Sequence, residues 1–141
     1  MKVLLVPSIR ASMGSGHLRR SLRLVRIFGA DSAVLLEGLE DALGRSRARP
    51  APAAVKALLE PLGLDPSACR ILDRYDPEEP WDLVILDRRS SDAGQISRFQ
   101  PAPVVGLDEG GAARRFCSYL IDTLPACGRR QKANLTALSL L

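Results

Sequence analysis

The stretch from residue 1 to 28 constrains the fold more than any other. Val3-Leu4-Leu5-Val6 is an unbroken apolar run, the pattern of a strand covered on both faces in a parallel sheet. Leu18, Leu22 and Val25 then recur at helical spacing, which predicts a helix starting near Ser15 or Gly16. The connection between them holds Gly14, Gly16 and His17, the only histidine of the chain. In this order of elements, a helix N-terminus brings unpaired backbone N–H groups and the positive end of its dipole to a strand tip. Glycine lets that backbone approach a ligand with no Cβ in the way. The loop is therefore expected to face an anionic group, for which phosphate is the usual candidate.

The rest of the chain repeats the alternation. Ser32–Leu36 predicts a second strand, with Gly29 and Asp31 as the break before it. Glu40–Arg49 reads as a charged stretch with a short helical turn, and Ala53–Leu62 as a helix after the Pro50-Ala51-Pro52 punctuation. Arg70–Leu72, Leu83–Leu86, Pro103–Leu107 and Tyr119–Ile121 predict further strands, and Asp92 stands where it can cap a helix running to about Phe99. Apolar strands separated by helical or polar stretches predict an α/β fold, a Rossmann-like three-layer domain with a mostly parallel sheet of about six strands. Residues 1–128 form this domain, and 129–141 are expected to be a linker or the start of a missing second domain. In such sheets ligands collect beyond the carboxyl ends of the strands. The segments there are Ser8–His17, Glu37–Gly38, Asp87–Ser91 and Asp108–Gly111, which the topology should bring together.

Charge supports the same end of the domain. Residues 1–30 carry Lys2, Arg10, Arg19, Arg20, Arg23 and Arg26 and no acid, whereas residues 65–92 carry eight acids against four arginines. A basic end that coincides with the glycine loop fits an anionic ligand. Arg19, Arg23 and Arg26 share one helix face by their spacing and are expected to be solvated. Aromatic residues are 4% of the chain, too few for base-stacking platforms, so no nucleic-acid partner is expected. Cys69, Cys117 and Cys127 are odd in number and lack CxxC spacing, which points to buried free thiols in a reducing compartment. With one histidine and scattered cysteines no metal site is expected. Pro7 and Arg10 interrupt the first apolar run and no stretch reaches membrane-spanning length, so neither a signal peptide nor an integral membrane segment is expected and the setting is cytoplasmic.

Several chemistries meet in the glycine loop. A dinucleotide fingerprint needs G-x-G-x-x-G on a tight turn. Here Arg19 stands at the third glycine position and the Ser8–Met13 loop is long, although Glu37 lies about where an acid would hold a ribose hydroxyl. A P-loop is excluded because no GK[ST] occurs. His17 has a plain alternative, a helix-start residue that bonds locally, but paired glycines and Arg20 beside it favour a functional role. Asp87 and Asp108 end predicted strands, where a carboxylate either caps the next turn or meets a ligand. Arg88 and Arg89 are expected at the surface, and Ser90 and Ser91 as turn residues.

Met13-Gly14-Ser15-Gly16-His17-Leu18-x-Arg20 resembles the G-x-G-H-x-x-R signature that opens one group of GT-B-fold proteins. The group contains the UDP-sugar hydrolase of pseudaminic acid biosynthesis and the spore coat polysaccharide biosynthesis glycosyltransferases. The peptidoglycan glycosyltransferase MurG is a more distant relative. The resemblance is strongest over residues 1–28 and continues through the Asp82–Asp87 and Val104–Asp108 strands, each ending in Asp. It implies substitution at the anomeric carbon of a UDP-sugar by water or a sugar hydroxyl, with His17 as catalytic base. Gly14, Ser15, Gly16, Arg20, Asp87 and Asp108 are the implied substrate-binding positions. No cofactor and no metal are implied. In that group a carboxyl-terminal domain grips the nucleotide, so the resemblance implies an enzyme completed by that domain and a chain inactive alone. The alternative class is a non-catalytic α/β module that binds a nucleotide or a partner protein.

Overall fold

The computed structural model describes residues 1–9, 16–37, 59–60, 69–123 and 133–136. The described elements are strands β1 (Val3–Pro7), β2 (Ala33–Leu35), β3 (Arg70–Leu72), β4 (Leu83–Asp87), β5 (Val104–Leu107), β6 (Tyr119–Asp122) and β7 (Leu135–Thr136). Helix α1 spans Gly16–Phe28, helix α2 spans Ala93–Ser97, and a 3-10 turn spans Ala112–Phe116. The strands form one sheet in the order β3-β2-β1-β4-β5-β6-β7, with every neighbouring pair parallel. This is the Rossmann-like α/β domain that the alternation predicts. The predicted helix over 53–62 lies outside the described residues apart from Leu59 and Glu60, and so does the helical turn within 40–49.

Strand alternation divides the core into two layers. On one face Leu4, Val6, Ala33, Leu35, Val84 and Leu86 pack with Ile96, Phe99 and Ala113, from α2 and the segments around it. On the other Val3, Leu5, Val34 and Ile85 pack with Leu18, Leu22 and Val25 of α1. The central strand β1 is buried along its whole length, which is why its sequence is an unbroken apolar run rather than an alternating one. Helix α1 turns its apolar stripe to the sheet and leaves Arg19, Arg23 and Arg26 exposed, as their spacing predicts. It stops at Gly29, whose φ of 98° is a left-handed conformation suited to a helix C-terminus. Helix α2 starts at a capping box: Asp92 accepts from the Gln95 backbone N–H at 2.8 Å, and the Gln95 side chain accepts from Asp92 N–H at 3.0 Å.

Within the 129–141 stretch, Leu135–Thr136 pairs with Ile121–Asp122 and extends the sheet to a seventh strand. Two residues are too few to show a period in sequence. Arg88 is not at the surface; it is buried, with only Arg89 beside it exposed. Cys69 and Cys117 are half-buried rather than buried. Among the described residues no helix is long and apolar enough to cross a membrane.

Candidate functional site

The strand order reverses between β1 and β4, because the chain moves outward from β1 through β2 and β3 and then resumes at β4 on the other side. A crevice opens at such a switch point, beyond the carboxyl ends of the strands. His17 and Arg20 stand on the first turns of α1, which follows β1, and Asp87 is the last residue of β4. Asp87 falls with Ile85 on the α1 face, so its carboxylate meets the start of that helix.

His17 Nδ1 lies 2.6 Å from Asp87 Oδ1. Arg20 grips the same carboxylate as a fork, Nε donating to Oδ2 at 2.7 Å and Nη2 to Oδ1. The guanidinium then reaches Asp108, which follows β5: Nη1 donates to Oδ2 at 3.1 Å and Nη2 to Oδ2 at 3.2 Å. Nη1 also donates to Thr123 Oγ1 at 3.0 Å. These five contacts match the five N–H donors of a guanidinium. Thr123 closes the cluster, its N–H donating to Asp108 Oδ1 at 2.6 Å and its hydroxyl to Asp108 Oδ2 at 2.5 Å. Asp108 holds φ of 55°, a left-handed conformation that aspartate tolerates better than most residues.

Burial sets the electrostatics. Asp87 is 0% exposed and Asp108 2%, so both carboxylates depend on protein donors in place of water. The Asp87 hydrogen bond holds the Arg20 guanidinium above its ordinary pKa against the opposing effect of burial, with Asp108 adding to it. If Nδ1 of His17 carries the proton it donates to Asp87, Nε2 is left with a lone pair. A buried carboxylate that fixes the tautomer of an imidazole in this way prepares it as a proton acceptor.

The structure therefore brings together four residues that the sequence singles out, His17, Arg20, Asp87 and Asp108. Gly14 and Ser15 lie outside the described residues. Gly16 is the first residue of α1, and a Cβ there would meet nothing within 4 Å. Thr123 is the member that the sequence does not single out. Its signal is positional: it directly follows β6, one strand beyond the last segment expected at the strand tips.

A second charged group lies along the same row of tips. Glu37 follows β2, and its Oε2 accepts from Arg88 Nη2 at 2.8 Å and from Arg98 Nη2 at 2.5 Å. Burial works to raise the Glu37 carboxyl, but the hydrogen bonds from Arg98 and Arg88 outweigh it and hold the group below its ordinary range. The acid placed where a dinucleotide fold holds a ribose is thus engaged by two arginines. A third group is structural. Arg114 forks onto Asp122 at 2.9 and 2.8 Å. The buried Glu109 carboxylate accepts from Ser91 N–H at 3.0 Å, Ser91 Oγ–H at 2.7 Å and Gly111 N–H at 2.7 Å. Ser91 is therefore a buried partner of Glu109. Among the described residues no group of three or more histidine, cysteine, aspartate or glutamate side chains is arranged to hold a metal ion.

Fold and site together define an α/β domain of nucleotide-binding-like architecture, with a buried carboxylate paired to an imidazole at its topological switch point. Comparison with known proteins adds no closer relation: no family model matches the chain, and neither a curated protein nor a solved structure matches it.

Proposed function

We propose that this chain is the amino-terminal, acceptor- or water-side domain of a nucleotide-sugar hydrolase or glycosyltransferase, with His17 as general base. The observation that carries the reading is the 2.6 Å contact between His17 Nδ1 and the buried Asp87 carboxylate. It supports a tautomer with Nε2 ready to accept a proton. In the proposed step Nε2 takes the proton of a water or sugar hydroxyl as that oxygen bonds to the anomeric carbon. The bond from the anomeric carbon to the phosphate oxygen breaks, and UDP leaves with the electron pair. The G-x-G-H-x-x-R resemblance supports UDP as the leaving group, and it assigns the N–H groups of Gly14, Ser15 and Gly16 to the diphosphate or the sugar.

The contacts of Arg20, Asp87 and Asp108 support a more specific part than the resemblance implies. All five Arg20 donors are committed to protein acceptors, so Arg20 serves as a positioning residue that fixes Asp87 and, through it, the imidazole. A carboxyl-terminal domain that grips the nucleotide completes the proposed site, as in the group the chain resembles. A free thiol at Cys117 supports a reducing, cytoplasmic setting. The exposed face of Arg19, Arg23 and Arg26 favours one second reading, a non-catalytic module that binds a nucleotide or an acidic partner.

The two readings part at His17. Titrating UDP-sugars into the chain while following the imidazole signals of its single histidine is expected to give a saturable shift. Turnover, measured with the carboxyl-terminal domain present, is expected to fall about 10²- to 10⁴-fold in His17→Ala. Unchanged turnover in that variant would remove His17 from the mechanism and leave the binding module.

A further inference from the structure

The Glu37–Arg88–Arg98 cluster is on the opposite face of the sheet from His17. By strand alternation residue 88 falls with Leu86 and residue 37 with Leu35, both on the α2 face. Arg98 caps the carboxyl end of α2, and its guanidinium lies 4.4 Å from the Phe99 ring centroid and 5.8 Å from that of Tyr75. Both arginines donate to one oxygen of one carboxylate, which leaves the trio with one positive charge in excess. Among the described residues the Nε–H of Arg88 and that of Arg98 are buried with no hydrogen-bond partner; Arg88 is 9% exposed, and the Arg98 side chain 33%. A buried cation such as Arg88 with an idle donor is costly, and a second, partly exposed fork beside it is unexplained by Glu37 alone.

We propose that Arg88 and Arg98 form a phosphate-binding site in which Glu37 is the internal counter-ion. Planar guanidinium forks match the oxygens of a phosphate, and the trio lies beyond the carboxyl ends of β2 and β4, where ligands of such sheets bind. Glu37 holds the two forks in register and competes with the incoming anion for them. The ligand class is a phosphate group, carried by inorganic phosphate, a nucleoside diphosphate or a sugar phosphate. This site does not depend on the role proposed for His17, whose side chain lies across the sheet.

The test is the thermal unfolding midpoint of the 141-residue chain against inorganic phosphate at constant ionic strength, with chloride as the control. The wild type is expected to show a saturable rise. Arg98→Gln should raise the half-saturating phosphate concentration by about tenfold, the loss of one charged hydrogen-bonding partner. Glu37→Gln should lower it, because removing the counter-ion takes the trio from one positive charge to two. His17→Ala should leave it unchanged. Repeating the titration with UDP and with a sugar 1-phosphate identifies the carrier by the lower half-saturation. A rise that does not saturate, or that is the same in Arg98→Gln as in the wild type, is the general effect of a kosmotropic salt and overturns the proposal. So does a Glu37→Gln chain that binds phosphate no more tightly than the wild type.

Discussion

Replacing Arg20 by glutamine removes a guanidinium that holds two buried carboxylates. Asp87 and Asp108 are 0% and 2% exposed, and Arg20 supplies five hydrogen bonds to them and to Thr123. Removing one partner of a fully buried ion pair costs about 3–5 kcal/mol. The Arg20 side chain is itself 30% exposed, which places the expected loss near the lower end, about 3 kcal/mol. Unfolding entropy is about 2.1 cal/mol/K per residue. For 141 residues that amounts to about 0.3 kcal/mol/K, so the midpoint should fall by about 10 °C. Arg20→Lys keeps the charge and loses the fork, and should cost about 1–2 kcal/mol. Adding Asp108→Asn to Arg20→Gln removes one of the stranded charges and should recover about 1 kcal/mol. Urea unfolding followed by fluorescence of the single tryptophan, Trp81, buried at 8% exposure, reads all three. An Arg20→Gln chain within about 0.5 kcal/mol of the wild type would refute the reasoning, since the carboxylates would then need no guanidinium.

Two other predictions rest on separate parts of the molecule. Burial, and next the nearby Glu109 charge, push the Cys117 thiol up to about 11. At pH 8 it should therefore alkylate about a hundredfold more slowly than an ordinary thiol, as read by peptide mapping. Because the unfolded thiol ionises first, the same shift should make stability fall as the pH rises from about 9 to 11, and a Cys117→Ser chain should lack that contribution. A Cβ at Gly111 would lie 2.6 Å from Ser90 Oγ, 2.8 Å from Glu109 Oε1 and 3.0 Å from Ser91 O. Gly111→Ala should therefore cost about 1–3 kcal/mol in urea unfolding through crowding around the buried Glu109 carboxylate.

What was legible in the sequence followed from how local its cause is. Helix α1 shows itself because an apolar stripe of Leu18, Leu22 and Val25 against a face of arginines has one period only. Strands β1 and β4 show themselves because a strand buried on both faces needs an unbroken apolar run. Asp87 and Asp108 could be picked out as acids ending such runs, and Arg20 as a cation able to hold an acid from a neighbouring loop. Pairing was the hidden part. Arg88 looks like a surface residue until Glu37, 51 positions away, is brought beside it. Thr123 has no chemistry of its own to mark it and gains a role only when β6 lies next to β5. Strand β7 has two residues, and its existence depends on an edge that β6 offers, a tertiary cause that no local pattern carries.

The most direct measurement is the tautomer of the His17 imidazole. It is the only histidine in the chain, so a long-range proton–nitrogen NMR spectrum of labelled protein reports on it without assignment, at a pH where the ring is neutral. A proton on Nδ1 and a bare Nε2 are expected, with this preference lost in Asp87→Ala. A proton resident on Nε2 in the wild type would contradict it, because the nitrogen proposed to accept a proton would already hold one.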